Sequence, residues 1–218
     1  MDPKLKLKPI ELLDVGIDKL TKIPIPILNE NMLSTYDMDN GVPADSFLLS
    51  YNASFGNFYA TITSSDSFNL YIDWGDGTNE SNLILTGGTV ISHTYTSAIT
   101  YNIIATGWLE KIINLNISNG GISSVSINYL KKLVNLNLSN NILTKINLEN
   151  LIYLKYIYLE NNYFSNDEID DIYNTADTFL TFGGIIDTTG INNGKPSVYS
   201  SAAIESLSSK FWTLNFNT

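Results

Sequence analysis

The sequence has no cysteine, no arginine and a single histidine, His93. Without cysteine there is no disulfide, no thiolate nucleophile and no thiolate-ligated zinc. One imidazole is too few for a histidine-based metal centre and counts against His-dependent catalytic triads. All 12 cationic side chains are lysine, against 22 carboxylates, so the formal charge is −10. That balance argues against general nucleic-acid binding, which needs cations facing phosphates. The chain is 44% hydrophobic and 16% charged, which marks it as globular rather than disordered. Its 218 residues allow one large or two small domains. It contains no run of about 20 predominantly apolar residues, so no membrane insertion is expected. Residues 1–18 alternate charged and apolar side chains and lack the apolar core of a secretory signal, so no export signal is expected there. Asn and Ile number 27 each and lysine wholly replaces arginine, the bias of an AT-rich genome.

What the sequence does have is an internal repeat with a period of 21. Ile112, Leu133 and Leu154 stand 21 apart, as do Leu115, Leu136 and Ile157, and Ile117, Leu138 and Leu159. Gly120, Asn141 and Asn162 form a fourth column, and Ile122, Leu143 and Phe164 a fifth. The segments IINLNISNGGI, LVNLNLSNNIL and LKYIYLENNYF resemble the leucine-rich repeat. The resemblance implies a short strand per turn with its apolar residues inward. It also implies an Asn column whose amides bond buried backbone groups. A solenoid needs caps at its ends. After Phe164, Ser165 and Glu168 read as a capping box at the start of a helix with Ile169, Ile172 and Tyr173 inward. A strand over 184–188, a Gly/Asn loop, a helix with Ile204 and Leu207 inward, and a closing strand through Trp212 complete the reading. This tail resembles the closing unit that follows such repeats in bacterial surface and phage proteins, except that Phe211 stands where Gly commonly precedes the Trp.

Residues 46–108 alternate apolar and polar in short runs separated by Gly, Asn, Ser and Asp, the pattern of an antiparallel sandwich. They contain YIDWGDGT, then His93-Thr94-Tyr95, then YNIIATG. That ordered set resembles the PKD domain, an immunoglobulin-like β-sandwich. Residues 1–45 match neither family. Pro24 and Pro26 interrupt an apolar Ile23, Ile25 and Ile27, which reads as an extended docking arm. Lys4, Lys6 and Lys8 alternate with Leu5 and Leu7, a strand with one charged and one apolar face, able to pair with a partner sheet.

Chemistry is sparse. Asp73, Asp76 and Glu80 crowd the WGDG turn and form a weak calcium candidate, since Ca²⁺ takes several oxygen ligands; a tight turn explains the same residues. His93 has no evident nucleophile to serve and reads as structural. Asp167, Glu168, Asp170 and Asp171 read as a solvated helix start favoured by the dipole. The best candidate is the strand face of the repeats, where Asn114, Asn116, Asn135, Asn137, Tyr156, Tyr158 and Glu160 flank the inward apolar positions. Aromatics beside amides suit glycan or protein recognition.

The expectation is a mainly β chain: an arm over 1–45, a PKD-like β-sandwich over 46–108, and a short leucine-rich repeat solenoid with an α/β C-terminal cap over 109–218. No catalytic site, cofactor or metal is assigned. The expected role is a non-enzymatic phage virion protein of tail, fibre or capsid surface, docking on other virion proteins or on itself through the arm and presenting a face to a host-surface glycan or protein. The alternative is a bacterial cell-surface adhesin.

Overall fold

The computed structural model describes residues 36–37, 42–43, 45–85, 87–118 and 120–218. The chain divides into two units, residues 1–36 and 37–218. Ile23, Ile25 and Ile27 of the arm, and Lys4, Lys6 and Lys8, lie outside the described residues.

The architecture is mainly β, with two large sheets and two helices among the described residues. Two short strands, Tyr36–Asp37 (β1) and Val42–Pro43 (β2), form a ribbon of their own. Then come Ser46–Asn52 (β3), Phe58–Ser64 (β4), Phe68–Asp73 (β5), Asn79–Leu85 (β6), Gly88–His93 (β7) and Thr100–Gly107 (β8). Their period-2 patterns do what alternation requires: Phe47, Leu49 and Tyr51 of β3 are buried, as are Phe58, Ala60 and Ile62 of β4. The WGDG segment makes the β5–β6 connection. Gly75 there has φ +77°, and a Cβ on it would stand 2.3 Å from the Asn102 carbonyl oxygen, so only glycine fits.

The repeat supplies Ile112–Asn116 (β9), Ile122–Ser126 (β10), Asn135–Asn137 (β11) and Tyr156–Tyr158 (β12). Strands β9, β11 and β12 pair in parallel at the 21-residue spacing, Leu115 beside Leu136 beside Ile157. Ile185–Asp187 (β13) and Thr213–Asn215 (β14) extend the same sheet. Residues 46–107 and the repeat contribute strands to both sheets. One sheet runs β14-β13-β12-β11-β9-β4-β7, and the other runs β10-β3-β8-β5-β6. Residue 108 is thus no gap in the structure: β9 pairs with β4, β10 pairs with β3, and a single apolar core runs from Phe47 to Trp212. Of the two residues at that point, Leu109 is buried, whereas Trp108 is exposed with the Lys111 ammonium 4.4 Å from its ring centre.

The Asn column forms a ladder. Asn141 accepts from the Gly120 and Ile122 N–H groups and donates to the Ile117 and Leu138 carbonyls. Asn162 accepts from Leu143 N–H and donates to the Leu138 and Leu159 carbonyls. A further rung, Asn193, accepts from Phe164 N–H and donates to the Leu159 and Thr188 carbonyls. Asn193 lies 31 residues after Asn162, because the helix Asn166–Ala176 (α1) lengthens that turn, so the 21-residue period misses it.

Helix α1 starts as its sequence indicates, the Ser165 hydroxyl accepting from Glu168 N–H at 3.2 Å. The capping box is only half formed. Glu168 instead turns its carboxylate to Ile146 N–H at 2.6 Å, in the preceding turn. Asp170 departs from the solvated helix start expected of it: it is buried and accepts from Ser197 N–H and the Ser197 and Ser200 hydroxyls. The second helix, Ser201–Ser209 (α2), ends in a Schellman motif, with Trp212 N–H on Leu207 C=O and Phe211 N–H on Ser208 C=O. Phe211 occupies the left-handed position at φ +64° with its ring exposed. The following Trp212 is buried against Gly184, where a Cβ would lie 2.3 Å from the Lys155 carbonyl oxygen and 2.5 Å from the indole.

Candidate functional site: the outer face of the seven-stranded sheet

Because the strands pair in register, their outward side chains form straight rows across seven strands. One row is Val90, Thr61, Asn116, Asn137, Tyr158, Asp187 and Asn215. The next is Gly88, Thr63, Asn114, Asn135, Tyr156, Ile185 and Thr213. At a strand spacing near 4.8 Å the rows extend over roughly 30 Å. The seven sequence candidates sit here together, but they form less than half of the face. Thr61 and Thr63 of β4 continue it on one side, and Asp187 of β13 with Thr213 and Asn215 of β14 on the other. These five lie outside the 21-residue frame and were not among the sequence candidates; the alternation within FYATITS, IID and TLN is the cue that places them.

The amides are partly committed to the fold. Asn116 and Asn137 each accept, through Oδ1, from the backbone N–H two residues on, at 3.2 and 3.0 Å. Asp187 does the same to Thr189 at 3.0 Å. Asn135 donates to Asn114 across the strands, and Asn215 to Asp187 at 3.1 Å. These contacts hold the polar row in one arrangement, so the face is preorganised rather than a brush of mobile chains. Tyr156 and Tyr158 are half-buried, and the Lys155 ammonium lies 5.7 Å from the Tyr156 ring centre.

Glu160, one outward position beyond Tyr158, is the electrostatic exception. Burial pushes its carboxyl upward and the Asp187 charge adds to that, against hydrogen bonds from Ser139 and its own backbone. Its Oε2 atom is buried without a hydrogen-bond partner. A carboxylate left this way opposes folding unless something donates to it.

The other candidates are structural in their geometry. Asp73 Oδ1 accepts from Gly75 N–H at 2.9 Å, and Asp76 Oδ1 accepts from Thr78 N–H at 2.9 Å and its hydroxyl at 2.6 Å. Glu80 stands on β6 opposite Ile72. Among the described residues no group of three or more His, Asp or Glu side chains is placed to hold a metal ion. His93 stacks on Trp74, ring centres 4.6 Å apart, and its Nε2 lies 2.8 Å from Asp76 Oδ2. Burial raises the Asp76 carboxyl, but hydrogen bonds from Thr78 and His93 outweigh it and hold it below the ordinary aspartate range. No helix among the described residues is long and apolar enough to cross a membrane. Comparison of the chain with protein-family models, curated proteins and solved structures returns no match.

Proposed function

We propose that this chain is a non-enzymatic structural and adhesive component of a phage virion, at the tail, fibre or capsid surface. In this reading it docks through the arm of residues 1–45, and a PKD-like sandwich fused to a leucine-rich repeat presents a recognition face. The observation that carries the reading is the ordered polar face, with Tyr156 and Tyr158 in its rows next to the central Asn135 and Asn137, and Glu160 beside them. The ligand class it suits best is a hydroxyl-rich glycan, or a protein surface offering hydrogen-bond donors. Sugar rings stack on exposed aromatic faces, and a hydroxyl or amine would supply the donor that Glu160 Oε2 lacks. The same carboxylate works against folding when unliganded, a pattern found where binding rather than stability is selected.

The reading is tested by binding of the full chain to host cells and to an array of host-surface glycans. Tyr156→Ala with Tyr158→Ala should weaken binding about tenfold or more, since each buried aromatic contact contributes upward of about 1 kcal/mol. Unchanged binding would remove the face from consideration. Labelled antibody in electron microscopy separates the contexts: decoration of particles supports the virion assignment, and decoration of bacterial cells alone supports a cell-surface adhesin.

A further inference from the structure

The outer edge of β10 is open among the described residues, since β10 ends its sheet and pairs only with β3. An open strand edge is a template for another strand. The next turn of the repeat begins to cover it, with Ile142 N–H donating to Ile122 C=O at 3.0 Å. It then diverges. Ile146, the repeat equivalent of Val125, gives its N–H to Glu168 on α1 and not to β10. The divergence opens a groove of about 500 Å³ between Ser124–Ser126 on one side and residues 145–149 with α1 on the other. Its walls carry the carboxylates of Glu149, Glu168 and Asp171 against one ammonium, Lys145. Asn128 Oδ1, also at this groove, is buried and has no hydrogen-bond partner. An extended backbone, several carboxylates and an orphan acceptor together call for a strand that brings N–H groups and cations.

We propose that this groove takes residues 4–8 of a second copy of the chain, added as a strand along β10. The inference rests on the reading of residues 1–45 as a docking arm and names the site on which that arm docks. The segment KLKLK has the matching chemistry: Lys4, Lys6 and Lys8 on one side for Glu149 and Asp171, and Leu5 and Leu7 on the other for the partly buried Val125. Main-chain bonds to the edge give affinity, and the alternating side chains give register. About 37 residues separate Lys8 from Ser46, and a segment of that length, at up to ~3.3 Å per residue, is long enough to bridge to a neighbouring molecule. Repetition of a head-to-tail contact of this kind builds rings or filaments, the form of a virion appendage.

Sedimentation velocity of the full chain tests the proposal. Wild type should self-associate, and Lys4→Glu/Lys6→Glu/Lys8→Glu should weaken association about tenfold, the loss expected when partly exposed ion pairs to Glu149 and Asp171 become repulsive. Glu149→Lys/Asp171→Lys should weaken it similarly. Both residues are exposed, so the fold should survive, which circular dichroism checks. Combining the two sets should restore association, because the pairs are re-formed with reversed sign. If arm reversal weakens association and groove reversal does not, the arm docks elsewhere and the groove is not its site. A wild type that stays monomeric at the highest attainable concentration overturns the second copy as occupant. If groove reversal then also leaves incorporation into particles unchanged, no strand docks here.

Discussion

Alanine at Asn141 and at Asn162 should destabilise the fold by different amounts, and the order follows from the ladder. Asn162 is fully buried and bonds four backbone groups. Three of them are shared. Leu138 C=O also accepts from Asn141, Leu159 C=O from Asn193 and Glu160 C=O from Asn140 N–H, so each keeps one bond when Asn162 is truncated. Only Leu143 N–H is orphaned. An unpaired buried donor costs about 1–3 kcal/mol and the weakened carbonyls about 0.5 kcal/mol each, so Asn162→Ala should lose about 2–4 kcal/mol. Asn141→Ala orphans the N–H groups of Gly120 and Ile122 together with Ile117 C=O, and should lose about 3–6 kcal/mol. Against a total of about 5–15 kcal/mol, the second change approaches the limit of foldability. Asn161→Gly is the control: Asn161 is exposed at φ +55°, a conformation glycine adopts freely, and its single side-chain bond to Asn140 is at the surface. It should stay within about 0.5 kcal/mol of wild type. Urea unfolding followed by circular dichroism and by tryptophan fluorescence reads all three, with an unchanged slope showing that the midpoint shift is stability. An Asn162→Ala midpoint within error of wild type, or the reverse order of the two alanine variants, would refute the accounting.

Phe211→Gly should raise the thermal midpoint by a few degrees, because a side chain in the left-handed region costs about 1–2 kcal/mol and the exposed ring offsets little of it; a fall in midpoint would show that the ring packs on something the fold needs. Asp170→Ala should cost about 2–4 kcal/mol, since it unpairs Ser197 N–H and two serine hydroxyls at a buried site, and Asp170→Asn should recover only part of it. The acid limb of the stability profile should flatten in Asp76→Asn. The Asp76 carboxyl is depressed in the folded state, so its contribution is present above the ordinary aspartate pKa of 3.8 and lost as pH falls through the lower folded value; an unaltered profile between pH 5 and 2, measured by urea midpoints, would exclude it. Glu160→Gln should have the opposite pH dependence. The carboxyl is raised on folding, so its ionised form opposes folding at neutral pH, and the variant should gain stability there and lose the gain in acid. Glycan or host binding of the same variant should weaken.

The strands were legible wherever one face is buried and the other wet. SFLLSYN became β3 over the same seven residues, because alternation of that kind has a single register that buries Phe47, Leu49 and Tyr51. The inward columns of the repeat were equally legible, since Leu136 and Ile157 must stack on Leu115. What the 21-residue frame could not carry was anything outside it. NLILTGGTVIS reads as one apolar run but makes two strands, β6 and β7, because Gly87 at φ +63° turns the chain. Asn193 lies beyond an inserted helix, so the same chemistry recurs at a different spacing. Asp170 looks like any acidic residue near the start of a helix. Its burial is decided by Ser197 and Ser200, some 30 residues away, which no local pattern announces.

The same distinction separates the two halves of the candidate interface. Rows on the outer sheet face follow from alternation and register, so their central members were readable from the repeat once its strands were placed. The groove beside β10 arises from a failure of the repeat to continue. Ser124–Ser126 and residues 145–147 are equivalent by sequence, yet the first pairs with β3 and the second does not pair with the first. The physical difference is the company each keeps. β10 has strand β3 on one side, whereas Ile146 has α1, whose Glu168 competes for its N–H with a short, charge-assisted bond. Glu168 carries a price for this, since burial raises its carboxyl and Asp171 adds to the effect. Replacing it with Gln keeps an acceptor for Ile146 while removing the charge. If the groove is held open by that bond, Glu168→Gln should retain the fold and the arm's docking, and Glu168→Ala should release Ile146 and close the edge. Slower hydrogen exchange at β10 amides in the alanine variant would report that closure. Unchanged exchange in Glu168→Ala would show that the divergence of the two turns has another cause.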